Sequence, residues 1–462
     1  MAGIGFELRK VFNKKSVFSK VGGLVFATMT TIGPTIIFML MLIGVNFVLQ
    51  QFEESSAVQL FFSSACLYVF LICILISGLM GTILSRFISD RIHEEKEEYI
   101  PSCLWGSTIL VTVLTAFFVG IICLCLYVRG DADLRFLLGL YLLAILVSVT
   151  YNSMVFVSSL KEYGKVSLAF LWGIIVGIIC FSLLYGVMKV EVIHALLASM
   201  VAVFFTISLI IFYLILTFFP HSNSHWFAFL GYFKKHQFLV LSGFFYILGL
   251  YIPNIVYWIF SEISVTVSIF RVAPSYDMAM FLAVVVNLTA PVIFVVNVET
   301  KFYEKYRSYT GHLLSGTYEA IEKHRKIMFR TIDAEMFYIY ETQLIITIVL
   351  SCVGILVLPM LGFGGIVMNF FLILAIGIYA VYLMYFTVVF LYYFDDQAGS
   401  CLTTATFLVT TTIASLVAAR MGVSFYPVAL LVGGVVSWFV AFFRLKYFLK
   451  NINARLFCRE AQ

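Results

Sequence analysis

Asp277 and Glu299 bracket 21 residues, 278 to 298, that carry no charge. A run of that length crosses a bilayer as one helix, so the two carboxylates stand at the mouths of a span. An acid in such a position is costly against lipid and faces a cavity or a partner instead. Asp277 there either accepts hydrogen bonds from hydroxyls and amides of a ligand or pairs with Arg271, six residues back across Pro274, with Glu262 competing for the same cation. Tyr276 lies beside it, and the neighbouring runs add Tyr246, Asn254, Tyr257, Trp258 and Asn287. Tyr and Trp combine an apolar face with a polar edge, which suits stacking on sugar rings. These residues are the candidate cavity and substrate contacts. Glu299 joins Arg86 and Asp90 as a candidate cytoplasmic gate; Arg86 and Asp90 are four apart and can pair along a helix. Gly33-Pro34 and Pro253 interrupt two apolar runs at comparable depth. Proline removes a helical hydrogen bond and clashes with the preceding turn, which makes these positions the hinge candidates.

Patterns that would carry enzyme chemistry are missing. No GxxxxGKS/T, HExxH or GxSxG stretch occurs, which excludes a nucleotide-driven pump within this chain and weakens protease and hydrolase readings. Asp131-Ala-Asp133 has the spacing of a metal–nucleotide site, but the charge argument below puts it on the outer side, away from nucleotide sugars. Asp395-Asp396 reads as a solvated loop. His221 and His225 are four apart with no carboxylate or cysteine to complete a metal site. The nine cysteines form no CxxC pair; all but Cys458, in the tail, lie in apolar runs, so neither disulfides nor zinc is expected. The chain is read as a non-enzyme with no cofactor and no metal.

The elements that must position the candidate residues are membrane helices. Of 462 residues, 62% are hydrophobic and 11% charged, against roughly 25% charged in a soluble domain, and the mean hydropathy is +1.05. Apolar runs recur near 21–49, 57–85, 102–128, 136–160, 166–188, 193–219, 237–260, 275–298, 342–361, 366–393, 400–419 and 425–447. Each is long enough to cross about 30 Å of hydrocarbon, and without alternating hydropathy a β-barrel is excluded. The fold class is an all-α polytopic membrane protein of twelve transmembrane helices. With the N-terminus in the cytoplasm, all but five of the 29 Lys and Arg (Arg129, Arg135, Lys189, Arg271 and Arg420) fall on the inner side. That is a strong positive-inside bias, and both termini are expected inside. The net charge of +5 reflects the bias, and no nucleic-acid partner follows from it. The first run is far longer than the apolar core of a cleavable signal peptide.

Residues 1–20 place Ile4, Leu8, Val11 and Phe18 near one helical face and five basic residues mostly elsewhere. This is the pattern of a cytoplasmic amphipathic segment on an anionic leaflet, or of a basic topogenic tail. A first six-helix bundle over 21–219, a cytoplasmic linker over 220–236, a second bundle over 237–447 and a cytoplasmic tail over 448–462 follow. The prolines in the first span of each half suggest a parallel internal repeat. The second half contains a polar insertion, 300–341, with Ile321, Met328, Ile332 and Met336 at helical spacing and the basic run Lys323-His324-Arg325-Lys326. It predicts an amphipathic helix over 317–337 that rests on the membrane or docks a cytoplasmic partner. Gly173 and Gly177 form a GxxxG expected to serve close packing within the bundle.

Several stretches resemble the PelG family. They are the opening MAGIGFELRK, Gly33-Pro34, Arg86 with Asp90-Arg91, Tyr276-Asp277-x-Ala279-Met280-Phe281-Leu282, Val298-Glu299-Thr300-x-Phe302-Tyr303-Glu304 and Tyr393-Phe394-Asp395-Asp396. The resemblance runs over essentially the whole chain. It implies a membrane exporter of exopolysaccharide in the multidrug/oligosaccharidyl-lipid/polysaccharide flippase superfamily, with two six-helix bundles around a central cavity that opens alternately to either side. It also implies an N-acetylhexosamine-rich polymer as substrate and a place in the bacterial cytoplasmic (inner) membrane. The implied partners are a cytoplasmic glycosyltransferase and other membrane components of a synthase. Ion-coupled members of that superfamily place acids deep in their spans, whereas this chain has almost none there. Two other functions fit the same residues: a lipid-linked oligosaccharide flippase of the same fold, and a membrane scaffold that organises a polysaccharide synthase without transporting.

Overall fold

The computed structural model describes residues 33–35, 37–45, 47–52, 55–157, 163–295, 300–360 and 362–452. Among them, twelve helices are long and apolar enough to cross a membrane: α1 (Gly33–Gln51), α2 (Ser56–His93), α3 (Tyr99–Arg129), α4 (Leu134–Val157), α5 (Lys165–Val187), α6 (Val192–Phe218), α7 (Gln237–Phe260), α8 (Pro274–Ile293), α9 (Tyr318–Met360), α10 (Ile366–Tyr393), α11 (Gln397–Met421) and α12 (Val423–Lys450). Each coincides with one apolar run of the sequence, since a helix satisfies its own backbone N–H and C=O groups in hydrocarbon. The segment 1–20, Glu299, Cys458 and the end of the tail lie outside the described residues.

The chain divides into two compact units, and among the described residues the first runs to Pro274 and the second begins at Ser275. In the first, α6 packs against both α4 and α5. Gly173 and Gly177 of α5 face Ile207 and Val203 of α6 so closely that a Cβ on either would collide, which is the packing use the GxxxG predicts. α7 crosses α2 in the same manner: a Cβ on Gly243 would come within 2.8 Å of the Gly78 carbonyl oxygen. Here the structure departs from the division read in the sequence. The facing glycines let α7 settle against α2, so 237–260 groups with the first unit. Pro253 sits inside α7 without ending it.

The linker 220–236 is likewise bound to the first unit. Ser102 Oγ donates to the Asn223 carbonyl at 2.6 Å, the Asn223 N–H points at the Glu98 carbonyl at 3.3 Å, and Gly106 leaves the space that the Trp226 backbone occupies. Arg91 lies over the rings of Phe87, Tyr99 and Tyr232 at 5.1, 5.0 and 6.0 Å, joining the end of α2, the start of α3 and the linker.

In the second unit α12 packs against both α10 and α11. Gly433 lies against Thr411 of α11, and a Cβ on Gly434 would come within 3.0 Å of the Val381 amide nitrogen of α10. α8 is broken at Asn287–Leu288, between helical stretches Pro274–Val286 and Thr289–Ile293. Pro291 explains the break. It has no N–H to offer the Asn287 carbonyl four residues earlier, and its ring crowds that carbonyl. The Ala290 N–H bonds there instead, at 3.1 Å.

α9 is 43 residues long, about 64 Å at 1.5 Å per residue and roughly twice what a bilayer needs. No glycine precedes Gly354 and no proline precedes Pro359 in it, so nothing stops the helix where its charged half meets its apolar half. The separate helix expected over 317–337 is therefore the first part of a span. Its apolar face is not laid on lipid. Ile321, Met328, Ile332 and Met336 are buried where the helix Thr300–Ser315 packs alongside with Phe302 and Tyr309. The register is antiparallel: Lys301 pairs with Glu335 at 2.7 Å, and Ser308 meets His324 at 3.0 Å.

Candidate functional site

On the side of the first unit opposite its basic loops, two short strands β1 (Val265–Val267) and β2 (Phe270–Val272) form an antiparallel hairpin that pairs Thr266 with Arg271. Ser268 turns the corner with φ 58°, a conformation L-residues rarely adopt. Neighbours hold it there: its hydroxyl donates to Asp131, and its carbonyl accepts from Arg129. Tyr68 of α2 stacks on Trp258 at 4.8 Å and 18°, lies 4.9 Å from Phe270, and exchanges hydrogen bonds with the Arg271 backbone at 2.9 and 3.2 Å. The Arg271 guanidinium donates to Ser264 Oγ at 3.3 Å. Arg271 thus belongs to a collar built from α2, α7 and the hairpin. Asp277 stands in the first turn of α8, where a carboxylate complements the positive end of the helix dipole.

Both acids of the Asp131-Ala-Asp133 stretch have protein partners. Asp131 accepts from Ser268, and Asp133 meets His194 Nε2 at 3.0 Å, whose other ring nitrogen lies 3.1 Å from Glu191. Among the described residues no group of three or more His, Cys, Asp or Glu is placed to hold a metal ion.

Inside the first unit α4 carries a column of polar side chains. Ser148 bonds Thr115 of α3 at 2.8 Å, Thr150 bonds Ser208 of α6 at 2.7 Å, and Asn152 donates to Ser107 and Thr108 at 3.0 and 3.2 Å. Tyr151 meets Thr35 of α1 at 2.7 Å, directly after the Gly33-Pro34 hinge candidate. Gly33 itself is where the Phe170 ring of α5 presses in; a Cβ would approach that ring to 2.9 Å. Of the aromatic candidates, Tyr257, Trp258 and Tyr276 are enclosed by protein, Asn254 is buried, and Tyr246 is half-buried. On the basic side Arg86 and Asp90 form the ion pair their spacing predicts, at 3.2 Å.

The break in α8 is sealed by a neutral network. Asn287 is fully buried and donates to the carbonyls of Ala283 and Ala375, both at 3.0 Å. Its oxygen accepts from Thr347 at 2.8 Å and Gln343 at 3.3 Å, and Thr289 donates to Gln343 at 3.0 Å. Asn287 is thus placed as a tie between α8, α9 and α10.

Asp396 corrects the expectation of a solvated loop. It is 5% exposed and receives two parallel hydrogen bonds from Arg444 of α12, at 2.7 and 2.8 Å. It also caps α11 by accepting from the Gly399 N–H at 3.3 Å. Gly399 has no room for a Cβ, because the Asp396 carboxylate and the Arg444 guanidinium occupy that place. The sequence carries one signal for this pair: Arg444 is a charge within an apolar run, and such residues face protein rather than lipid.

The PelG exopolysaccharide exporter (EPS-E) family model matches residues 1–457. The chain belongs to this family. Its fold is shared with solved transporters over nearly the whole length. An outward-facing multidrug resistance MATE family transporter of the MOP superfamily is 13% identical, with TM-score 0.64 over 97% of this chain and 99% of that one. A MOP superfamily transporter from Pyrococcus furiosus is 12% identical, with TM-score 0.65 over 93% and 95%. A MATE structure in the bent conformation is 12% identical, with TM-score 0.64 over 98% and 99%. No curated protein matches the chain in sequence. At these identities the structural likeness is one of fold, and that fold, like the PelG family, is one of transporters.

Proposed function

We propose that this PelG-family chain exports an N-acetylhexosamine-rich exopolysaccharide across the bacterial cytoplasmic membrane, receiving it from a cytoplasmic glycosyltransferase. The observation that carries the reading is the family match over residues 1–457. Transport is by alternating access, and two compact units support this, because a gate that opens to one side at a time needs two bodies that rock. In this reading the basic side is cytoplasmic, with both termini on it, and the helical hairpin 300–341 is the dock for the glycosyltransferase. Arg86, Asp90 and Glu299 serve the inner gate, Gly33, Pro34 and Pro253 the hinges, and Asp277 meets the saccharide.

Orientation is tested by single cysteines: position 310 should react with an impermeant maleimide only in inverted vesicles, and position 132 in intact cells. Function is tested by removing the chain from a producing cell. Export predicts that the glycosyltransferase keeps consuming nucleotide sugar while polymer accumulates inside. Loss of synthesis itself would favour a scaffold, and accumulation of lipid-linked oligosaccharide a flippase.

A further inference from the structure

We propose that Tyr379, Tyr382 and Tyr385 of α10 form a stacking track for neutral saccharide rings, carrying the substrate past the middle of the membrane. This rests on the export reading and names residues of the second unit that would touch its cargo.

The three tyrosines recur every third residue around the centre of α10, each step rising about 4.5 Å along the helix. Tyrosine ordinarily sits at the membrane–water boundary, where its hydroxyl is wet. At mid-span the hydroxyl needs a polar partner, because hydrocarbon offers none. All three keep part of their surface. Ile376, one turn before Tyr379, is the one exposed residue between Phe370 and Tyr393, and the same face continues half-buried through Tyr379, Tyr382, Tyr385 and Val389. The tyrosines therefore lie on a face of α10 that its neighbours cover only in part.

The chemistry of this face selects its occupant. Tyr379 donates its hydroxyl to the Tyr340 carbonyl at 3.0 Å. Tyr382 stacks on Phe386 at 5.8 Å and 16°, and its hydroxyl makes no hydrogen bond among the described residues. Nearby, Tyr340 links Thr387 and Trp438 through two 3.2 Å hydrogen bonds. No residue from Ile366 to Tyr393 is charged, so an ionic ligand would find no counter-charge on this helix. A lipid tail would cover the rings and leave the Tyr382 hydroxyl bare. A saccharide offers both an apolar C–H face and peripheral hydroxyls or amides, which is what a tyrosine ladder complements. Tyr257, Trp258 and Tyr276, by contrast, are enclosed by protein and offer no open face.

The test is calorimetric titration of the purified full-length protein with a dimer and a hexamer of N-acetylglucosamine, repeated with N-acetylgalactosamine. Wild type should bind the hexamer at least about tenfold more tightly than the dimer. Tyr382→Phe should stay within about threefold of wild type, and Tyr382→Leu should lose about tenfold for the hexamer, the scale of one aromatic contact. Leu variants at 379 and 382 that bind the hexamer as wild type does would overturn the track and leave export standing. Wild-type protein that binds neither sugar series would overturn both. If Tyr382→Leu aggregates, Tyr382→Phe and Tyr382→Trp decide: binding kept in both supports stacking, and binding lost in both overturns it.

Discussion

Asp396 holds Arg444 in a two-pronged grip and caps α11 with the same carboxylate. A buried pair of this kind is weak evidence for net stability, because desolvating both charges costs nearly what their attraction returns. Breaking it is different. Asp396→Ala leaves a guanidinium without its partner, and the expected loss is about 3–5 kcal/mol, read as a lower unfolding midpoint in detergent. Asp396→Leu combined with Arg444→Leu should recover most of that loss; a double variant as unstable as the single one would show that the pair is not what the single change breaks. The partnership escaped the sequence because the two residues are 48 positions apart and the neighbouring Asp395 makes the pair look like a solvated turn. A second residue-scale test concerns pH. Burial pushes the Asp133 carboxyl up, but the hydrogen bond and charge of His194, with the amides of Phe136 and Arg135, outweigh it and hold the group below its ordinary value. A carboxylate depressed in the folded state stabilises above its unfolded pKa and loses that contribution as pH falls through the folded one. The stability advantage of wild type over Asp133→Asn should therefore shrink as pH is lowered through about 4. It should be small throughout, since the carboxylate is half exposed. An advantage that grows on acidification would contradict this.

At the scale of elements, the twelve spans were legible because length and hydropathy alone decide them. The interruptions were only partly so. Gly33-Pro34 and Pro253 drew notice as prolines in apolar runs, but the break at Asn287–Leu288 comes from Pro291, whose effect falls four residues earlier and is closed by Gln343 and Thr347 from a different helix. Asn287→Ala should strand those two side chains and cost about 1–3 kcal/mol, the desolvation of unpaired buried polar groups. Thermal unfolding of Asn287→Ala beside Gln343→Leu/Asn287→Leu measures it: the paired apolar change should be milder than the single truncation. The hairpin 300–341 was half legible. Its apolar spacing is real, but a change from charged to apolar composition looks like a helix end when no proline or glycine enforces one. Its charges also sort differently in space. Arg325 and Lys326 both reach Glu322, at 2.6 and 3.7 Å, while Lys323 is exposed and unpaired among the described residues. If the hairpin docks the glycosyltransferase, Lys323→Glu with Lys326→Glu should release that enzyme from membranes at unchanged exporter level, measured by fractionation. Retention of the enzyme would remove the hairpin from the docking account.

At the scale of the whole molecule, composition settled the class and the Lys/Arg bias gave an orientation, because both depend on sums over many residues. The grouping into units was not readable in that way: it turns on how α7 packs along α2, Gly243 against Gly78 included, which leaves no mark on hydropathy. The central claim is transport of saccharide by this chain itself. It is tested most directly with purified protein in sealed vesicles, with an N-acetylhexosamine hexamer supplied on the face that bears the hairpin 300–341. The account predicts that the hexamer crosses faster than in protein-free vesicles, in proportion to the protein inserted in that orientation, and that Asp277→Ala slows it. Passage at the protein-free rate with a driving ion gradient imposed in either direction would contradict it.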